Sequence, residues 1–202
     1  MNTNLWPKGR FLNRLDLKTC TIPIAILLVS AGLALGPRTA GAEETTREQV
    51  QAAFIYKFTR FIQWPDSALQ GTAGEFPVCV AGQGPMSEAL SLIEGKAVNG
   101  RRLTIRRKIK PQKASNCLIL FISRSESNNF GTWRKALKGR PILLIGDWPG
   151  FGVSGGHIEF YMDSSYVRFA INFQEARDAG LKISSKLLQL ARIVETRKTA
   201  EP

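Results

Sequence analysis

Few side chains in this 202-residue sequence could do catalytic chemistry, and they do not form a recognisable set. His157 is the only histidine, and no neighbouring acid and nucleophile complete a catalytic triad with it. Asp147 and Glu159 could act as paired carboxylates, but nothing in the sequence indicates that they share a cleft. Cys79, Cys117 and one distant histidine do not make a metal-ligand set. We therefore predict a protein without catalytic residues, metal or cofactor, in which His157 is structural or exposed.

A pair of glycines lies where a phosphate-binding loop would be expected. Gly82 and Gly84 follow a strand-like run and precede a helical one. However, Ser87 occupies the third glycine position of the G-x-G-x-x-G pattern, and Pro85 removes a backbone donor that a phosphate would need. An ordinary strand-to-helix turn explains the pair, and we do not predict nucleotide binding.

The glycine-rich loop over residues 146–156 carries two large aromatic side chains, Trp148 and Phe151. Aromatic residues on loops often anchor protein–protein interfaces. The alternative is that both rings fold back as a lid over the edge of a sheet. The sequence leaves both interpretations open, and we take partner binding through Trp148 and Phe151 as the hypothesis to test.

The clearest alternation of apolar and polar residues runs over residues 101–110. Leu103 and Ile105 fall on one face, whereas Arg102, Arg106 and Lys108 fall on the other. This pattern predicts a half-buried strand near a sheet edge, with its basic side toward solvent. That side is either a solvated face or a binding surface. It could support the partner contact or, in an alternative function, bind a polyanionic or small-molecule ligand.

Residues 1–42 predict a signal peptide. Basic residues precede a mostly apolar stretch over 21–35, and Ala40-Gly41-Ala42 has the small-x-small pattern of a cleavage site. The apolar stretch is shorter than the roughly 20 residues that a membrane span needs. An uncleaved N-terminal anchor is the alternative. We predict cleavage after Ala42, export to the periplasm and a single domain over residues 43–202.

The charge of the exported chain narrows the class of partner. The leader holds five of the 28 Lys and Arg residues and one of the 16 Asp and Glu residues, so its removal lowers the net charge from +12 to +8. In an exported protein, this excess favours anionic envelope components or an acidic partner protein over nucleic acid. Cys20 is lost with the leader. Cys79 and Cys117 then remain in an oxidising compartment, either as a disulfide or as two buried thiols.

Strand and helix patterns alternate along residues 43–202. We predict helices over residues 46–63, 86–93 and around 133–137, and strands around Cys79, over 101–110, from Cys117 and over 141–146. A hairpin follows, with strands over 157–162 and 167–172. Asn172 then caps a short helix that Gly180 ends, and a longer helix is predicted over 184–194. This order predicts one α/β domain with a mixed sheet, in which residues 146–194 form the packing centre.

Several separated motifs resemble the YfiR family of periplasmic regulators. They are AAFIYKFTRFIQWP at 52–65, GRPIL at 139–143, GGHI at 155–158, VRFAIN at 167–172 and AGLKISSKLL at 179–188. Together they cover about residues 47–194. This chain departs from the founding member in lacking an additional cysteine pair near the glycine-rich loop.

The resemblance implies a three-layer α/β domain without catalytic activity, with a C-terminal hairpin followed by a helix. It implies a repressor that holds the periplasmic domain of an inner-membrane diguanylate cyclase inactive, in the cyclic di-GMP signalling that governs biofilms. An outer-membrane lipoprotein would relieve that repression, and a second copy of the chain is a further candidate partner. The resemblance also implies a disulfide between Cys79 and Cys117, which match the positions of one in the family.

Overall fold

The computed structural model describes residues 45–197, so the predicted leader lies outside the described residues. The α-helices of this part are α1 (Arg47–Phe58), α2 (Asp66–Gln70), α3 (Met86–Ala89), α4 (Phe130–Leu137), α5 (Phe173–Asp178) and α6 (Ser185–Leu188). Its strands are β1 (Ile62–Gln63), β2 (Glu75–Ala81), β3 (Ala97–Val98), β4 (Arg101–Arg106), β5 (Ile119–Ile122), β6 (Leu143–Gly146), β7 (Ile158–Asp163), β8 (Tyr166–Ile171), β9 (Lys182–Ile183) and β10 (Arg192–Ile193). Its 3₁₀ helices span Leu90–Ile93, Pro111–Asn116 and Arg124–Asn129.

The main sheet is mixed and has the strand order β10-β8-β7-β6-β5-β2-β4-β3. The five strands β4, β2, β5, β6 and β7 are parallel, whereas β8 and β3 run antiparallel to β7 and β4. Numbered along the chain, the parallel strands have the 2-1-3-4-5 order of a doubly wound α/β fold. Two short strands, β1 and β9, form a separate antiparallel pair.

Helices and loops cover both faces of the sheet, because successive residues of each buried strand point to opposite sides. In β2, Val78 and Val80 join a core beneath α1 and α3, whereas Cys79 and Ala81 join a second core beneath α4. The strands β5 and β6 divide their side chains in the same way. The structure therefore confirms the three-layer α/β domain, and the hairpin of β7 and β8 lies where the sequence predicted it.

The helix predicted over residues 46–63 is shorter in the structure, because it ends at Phe58. Ile62 and Gln63 instead pair with Ile183 and Lys182. The indole Nε1 of Trp64 donates a hydrogen bond to the carbonyl oxygen of Leu118 at 2.9 Å. These contacts with distant segments override the helical periodicity of the last residues.

The prediction of a longer helix over residues 184–194 is wrong. Only one turn, α6, forms there, and Arg192 and Ile193 extend as β10 along the outer edge of β8. The backbone N–H of Val194 donates to the carbonyl oxygen of Ile171 at 3.0 Å. The open edge of β8 thus satisfies the backbone hydrogen bonds that these residues would otherwise make within a helix. No helix within residues 45–197 has both the length and the apolar run required to cross a bilayer.

Candidate interaction site

The aromatic side chains of the glycine-rich loop face the interior. Trp148 is 8% exposed and Phe151 is fully buried. Their rings lie 4.6 Å apart, and the ring of Phe130 lies 4.7 Å from that of Phe151. A Cβ atom on Gly146 would lie 2.7 Å from the Phe151 ring, so the glycine provides the space that the ring fills. Both rings therefore pack into the second core, and neither is exposed to a partner.

Two buried polar side chains hold this loop in place. The carboxylate of Glu159 accepts a hydrogen bond from the backbone N–H of Gly152 at 2.9 Å. The amide nitrogen of Asn172 donates to the carbonyl oxygen of Gly152 and to the hydroxyl of Thr196, each at 2.9 Å. Its oxygen accepts from the backbone N–H of Glu175, which confirms the predicted helix cap. Glu159 is therefore engaged in positioning the loop.

Asp147 is the other carboxylate that the sequence singled out. Burial raises the pKa of Asp147, and the nearby positive charge of Arg47 opposes that rise. Its Oδ1 atom is buried without a hydrogen-bond partner among the described residues. Within residues 45–197, no three His, Cys, Asp or Glu side chains come together in a way that could hold a metal ion.

His157 is buried and neutral. Only 4% of the residue is exposed, and its Nδ1 atom accepts a hydrogen bond from the backbone N–H of Leu144 at 3.1 Å. Burial, together with the positive charge of Arg134, lowers the pKa of His157 to about 3. A neutral imidazole that accepts through Nδ1 carries its proton on Nε2. His157 also lines a cavity between α4 and α5.

Two of the arginines of the basic strand β4 contact other residues of the domain. The guanidinium of Arg106 lies 2.8 Å from the carboxylate of Glu75 on the neighbouring strand β2. Arg101 donates to the hydroxyl of Thr72 at 2.8 Å. Arg102 and Lys108 are exposed, as the sequence predicted for this face. Of the three basic residues predicted to contact a partner, Arg106 is thus already ion-paired.

Cys79 and Cys117 form a disulfide bond in the second core. Their Cα atoms are 5.9 Å apart, within the range that a disulfide requires. Cys79 lies in β2, and Cys117 follows the 3₁₀ helix Pro111–Asn116. The bond joins two segments that are 38 positions apart in the sequence.

Exposed apolar side chains lie along the last strands of the sheet, a feature that the sequence analysis missed. Met162 and Tyr166 lie at the turn of the hairpin, with 42% and 69% of each residue exposed. Leu190 and Ile193, in and just before β10, are 71% and 52% exposed. We call these four residues the β8 edge surface. Alternating strand patterns could not reveal it, because exposure here depends on which edge of the sheet remains open.

The backbone of this surface is also open. β10 pairs only with Ala170 and Ile171 of β8. The outer edge of β8 from Tyr166 to Phe169 has no strand partner among the described residues. An unpaired strand edge beside apolar side chains can accept a strand from another protein.

The chain folds as a doubly wound α/β domain, in which His157 and Glu159 make hydrogen bonds in the interior. The model of the YfiR/HmsC-like family matches residues 48–192, which is most of the chain. The protein therefore belongs to the YfiR/HmsC-like family, and the resemblance seen in the sequence is confirmed. At the level of the family, its members are periplasmic regulators and not enzymes. No curated protein matches the chain significantly.

Proposed function

We propose that the protein is exported through a signal peptide over residues 1–42 and represses an inner-membrane diguanylate cyclase by binding its periplasmic domain. The observation that carries this proposal is the family match over residues 48–192. The buried disulfide agrees with it, because disulfides persist in the oxidising periplasm. Repression then requires only binding, since a partner held in one arrangement cannot shift to its active one.

The β8 edge surface is the contact that we propose for the cyclase. It combines a free strand edge with exposed apolar residues, the two features that strand-addition interfaces use. Backbone hydrogen bonds would supply affinity, and pockets for Tyr166 and Leu190 would supply specificity. The exposed cation Arg102 lies on β4 and Lys108 lies just after that strand, toward the opposite edge of the sheet. They would affect the association rate and its salt dependence more than the affinity.

An outer-membrane lipoprotein would relieve the repression by sequestering the protein. If it binds the same β8 edge surface, the cyclase and the lipoprotein compete for one site. A free strand edge permits this, because it can pair with a strand of either partner. The competition predicts that one substitution on the edge weakens both complexes.

The test exchanges exposed leucines for aspartate at two places. We expect Leu190→Asp to weaken cyclase binding by about tenfold or more, because it sets a charge within the apolar contact. Cellular cyclic di-GMP should then rise. Leu92→Asp is the matched control, since Leu92 is also an exposed leucine, 56% accessible, in the distant 3₁₀ helix Leu90–Ile93. It should repress as well as wild type.

Circular dichroism and periplasmic fractionation must show that both variants are folded and exported. Equal repression by Leu190→Asp and wild type would exclude the β8 edge surface as the interface. A loss of repression in Leu92→Asp alone would place the interface near α3 instead.

A further inference from the structure

A cavity of about 600 Å³ lies between α4, the end of α5 and the segment from Gly155 to His157. This volume is within the range of cavities that hold small ligands, roughly 300–1,000 Å³. Leu137, Leu144 and Ala179 contribute apolar side chains to its wall. The cavity is separate from the β8 edge surface, and the regulatory role proposed above does not use it.

His157 contributes a hydrogen-bond donor to this cavity. Because Nδ1 accepts the backbone N–H of Leu144, the Nε2 atom carries the proton of the neutral ring. Among the described residues, the one hydrogen bond of the imidazole is that of Nδ1, and His157 lines the cavity. This N–H group is free to donate a hydrogen bond to an acceptor atom of a ligand in the cavity.

Arg134 places a positive charge beside the histidine. A Cβ atom on Gly155 would overlap the guanidinium of Arg134, so the absence of a side chain at Gly155 lets the arginine pack there. The guanidinium lies 3.5 Å from a carboxylate oxygen of Glu175, which is the outer limit of a hydrogen bond. An arginine has five N–H donors, and this single long contact leaves most of them for another acceptor.

The other charges of the cavity limit the ligand to a small negative charge. Lys135 and Lys138 add two cations from α4, whereas Glu175 and Asp178 add two anions from α5. With Arg134, the lining carries one net positive charge. A polyanion would be repelled by the two carboxylates, whereas one oxyanion group could be neutralised by Arg134.

We propose that this cavity binds a small amphipathic oxyanion, with its carboxylate or phosphate group between Arg134 and Nε2 of His157. The apolar body of the ligand would lie against Leu137, Leu144 and Ala179. Two oxygens of a carboxylate or a phosphate group can accept the paired N–H groups of a guanidinium, and a neutral imidazole N–H adds a directional donor. The proposal goes beyond the regulatory function and does not rest on it.

The test follows the imidazole of the purified protein by NMR, which is unambiguous because the chain has a single histidine. Benzoate and phenyl phosphate are the probes for the two anion types, and inorganic phosphate tests the contribution of the apolar body. We expect saturable shifts of the His157 resonances with at least one aromatic probe. Inorganic phosphate should bind more weakly, because it leaves the apolar wall uncovered.

Substitutions then locate the site. Arg134→Gln should weaken binding about tenfold or more, the loss expected for one charge-assisted hydrogen bond. Lys113→Gln, which removes an exposed cation outside the cavity, should leave the affinity unchanged. The double variant Lys135→Glu/Lys138→Glu, at two exposed positions, should weaken binding even if Arg134→Gln is poorly folded.

The absence of a saturable shift with both aromatic probes would refute the site. Equal affinity of Arg134→Gln and wild type would do the same. If inorganic phosphate binds as tightly as phenyl phosphate, the apolar part of the proposal is wrong. None of these results depends on the cyclase. If the cavity binds no ligand, the proposed regulatory function is still tested separately by the Leu190→Asp experiment.

Discussion

At the scale of single residues, His157 shows how the environment changes the chemistry of a side chain. An exposed histidine has a pKa near 6.5, whereas burial next to Arg134 lowers the pKa of His157 to about 3. The sequence predicted a structural or exposed histidine, since no neighbouring residues complete a catalytic set. It could not predict the neutral state, because Leu144 and Arg134 approach the ring only through the folded sheet and α4.

This lowered pKa predicts that acid destabilises the protein. Between pH 6.5 and about 3 the unfolded chain binds a proton at His157 that the native state excludes. The free energy of unfolding should therefore fall with decreasing pH, by up to about 1.4 kcal/mol per pH unit from this residue. Asp147 opposes the trend at the acid end, because its raised pKa lets the native state bind a proton more readily.

Urea denaturation of wild type and His157→Asn at several pH values measures this effect. Asparagine keeps an acceptor for the backbone N–H of Leu144 but does not titrate. Its stability should depend less on pH than that of wild type over the interval below pH 6.5. Parallel pH profiles of the two proteins would show that His157 is not the residue responsible.

Asn172 illustrates what local patterns reveal and what they leave out. Its spacing from Glu175 predicted a helix cap, which the structure confirms. Its two other hydrogen bonds reach Gly152 and Thr196, 20 and 24 positions away. Contacts of that separation depend on the tertiary fold, and a sequence pattern of a few residues cannot contain them.

At the scale of elements, the glycine-rich loop is part of the core. Its glycines suggested an irregular segment that could present aromatic rings to a partner. In the structure, glycines at 146 and 156 make room for the ring of Phe151, which a side chain at either position would overlap. The same composition therefore permits close packing, and the sequence alone could not decide between the two outcomes.

The buried loop predicts a large loss of stability for Phe151→Ala. Truncation of a fully buried phenylalanine costs about 3–5 kcal/mol, from lost burial and from the cavity left behind. Trp148→Ala should also destabilise the fold. Tyr166→Ala is the control, because Tyr166 is 69% exposed and its loss should change stability by less than about 0.5 kcal/mol. Equal denaturation midpoints for Phe151→Ala and Tyr166→Ala would contradict the buried loop.

The C-terminal segment shows why a helical period is not sufficient evidence for a helix. Leu187, Leu188, Ala191 and Val194 recur at helical spacing, yet only Ser185–Leu188 is helical. Leu187 is buried, and Arg192 and Ile193 follow the edge of β8. Pairing with a sheet edge depends on a strand elsewhere in the chain, so a window over this segment cannot detect it.

At the scale of the whole molecule, the sequence predicted the α/β class and most strands, but not their order. The class follows from the alternation of strand and helix patterns, which is local. The order depends on where each crossover returns to the sheet: β4 lies on one side of β2, whereas β5 and β6 lie on the other. The buried runs at 78–80 and 119–122 have similar apolar composition. Their composition therefore does not indicate which strand lies next to which.

The disulfide stabilises this arrangement as a whole, because it joins β2 to the segment that enters β5. Closing a loop of 38 residues limits the unfolded chain, and the loss of such a bond costs about 2–4 kcal/mol. The double variant Cys79→Ala/Cys117→Ala should therefore unfold at a lower urea concentration than wild type. Reductant should lower the midpoint of wild type and leave that of the double variant unchanged, which separates the bond from the packing of two sulfur atoms. Equal midpoints for oxidised wild type and the double variant would show that the bond does not stabilise the domain. Two free thiols in protein purified without reductant would show that the bond does not form.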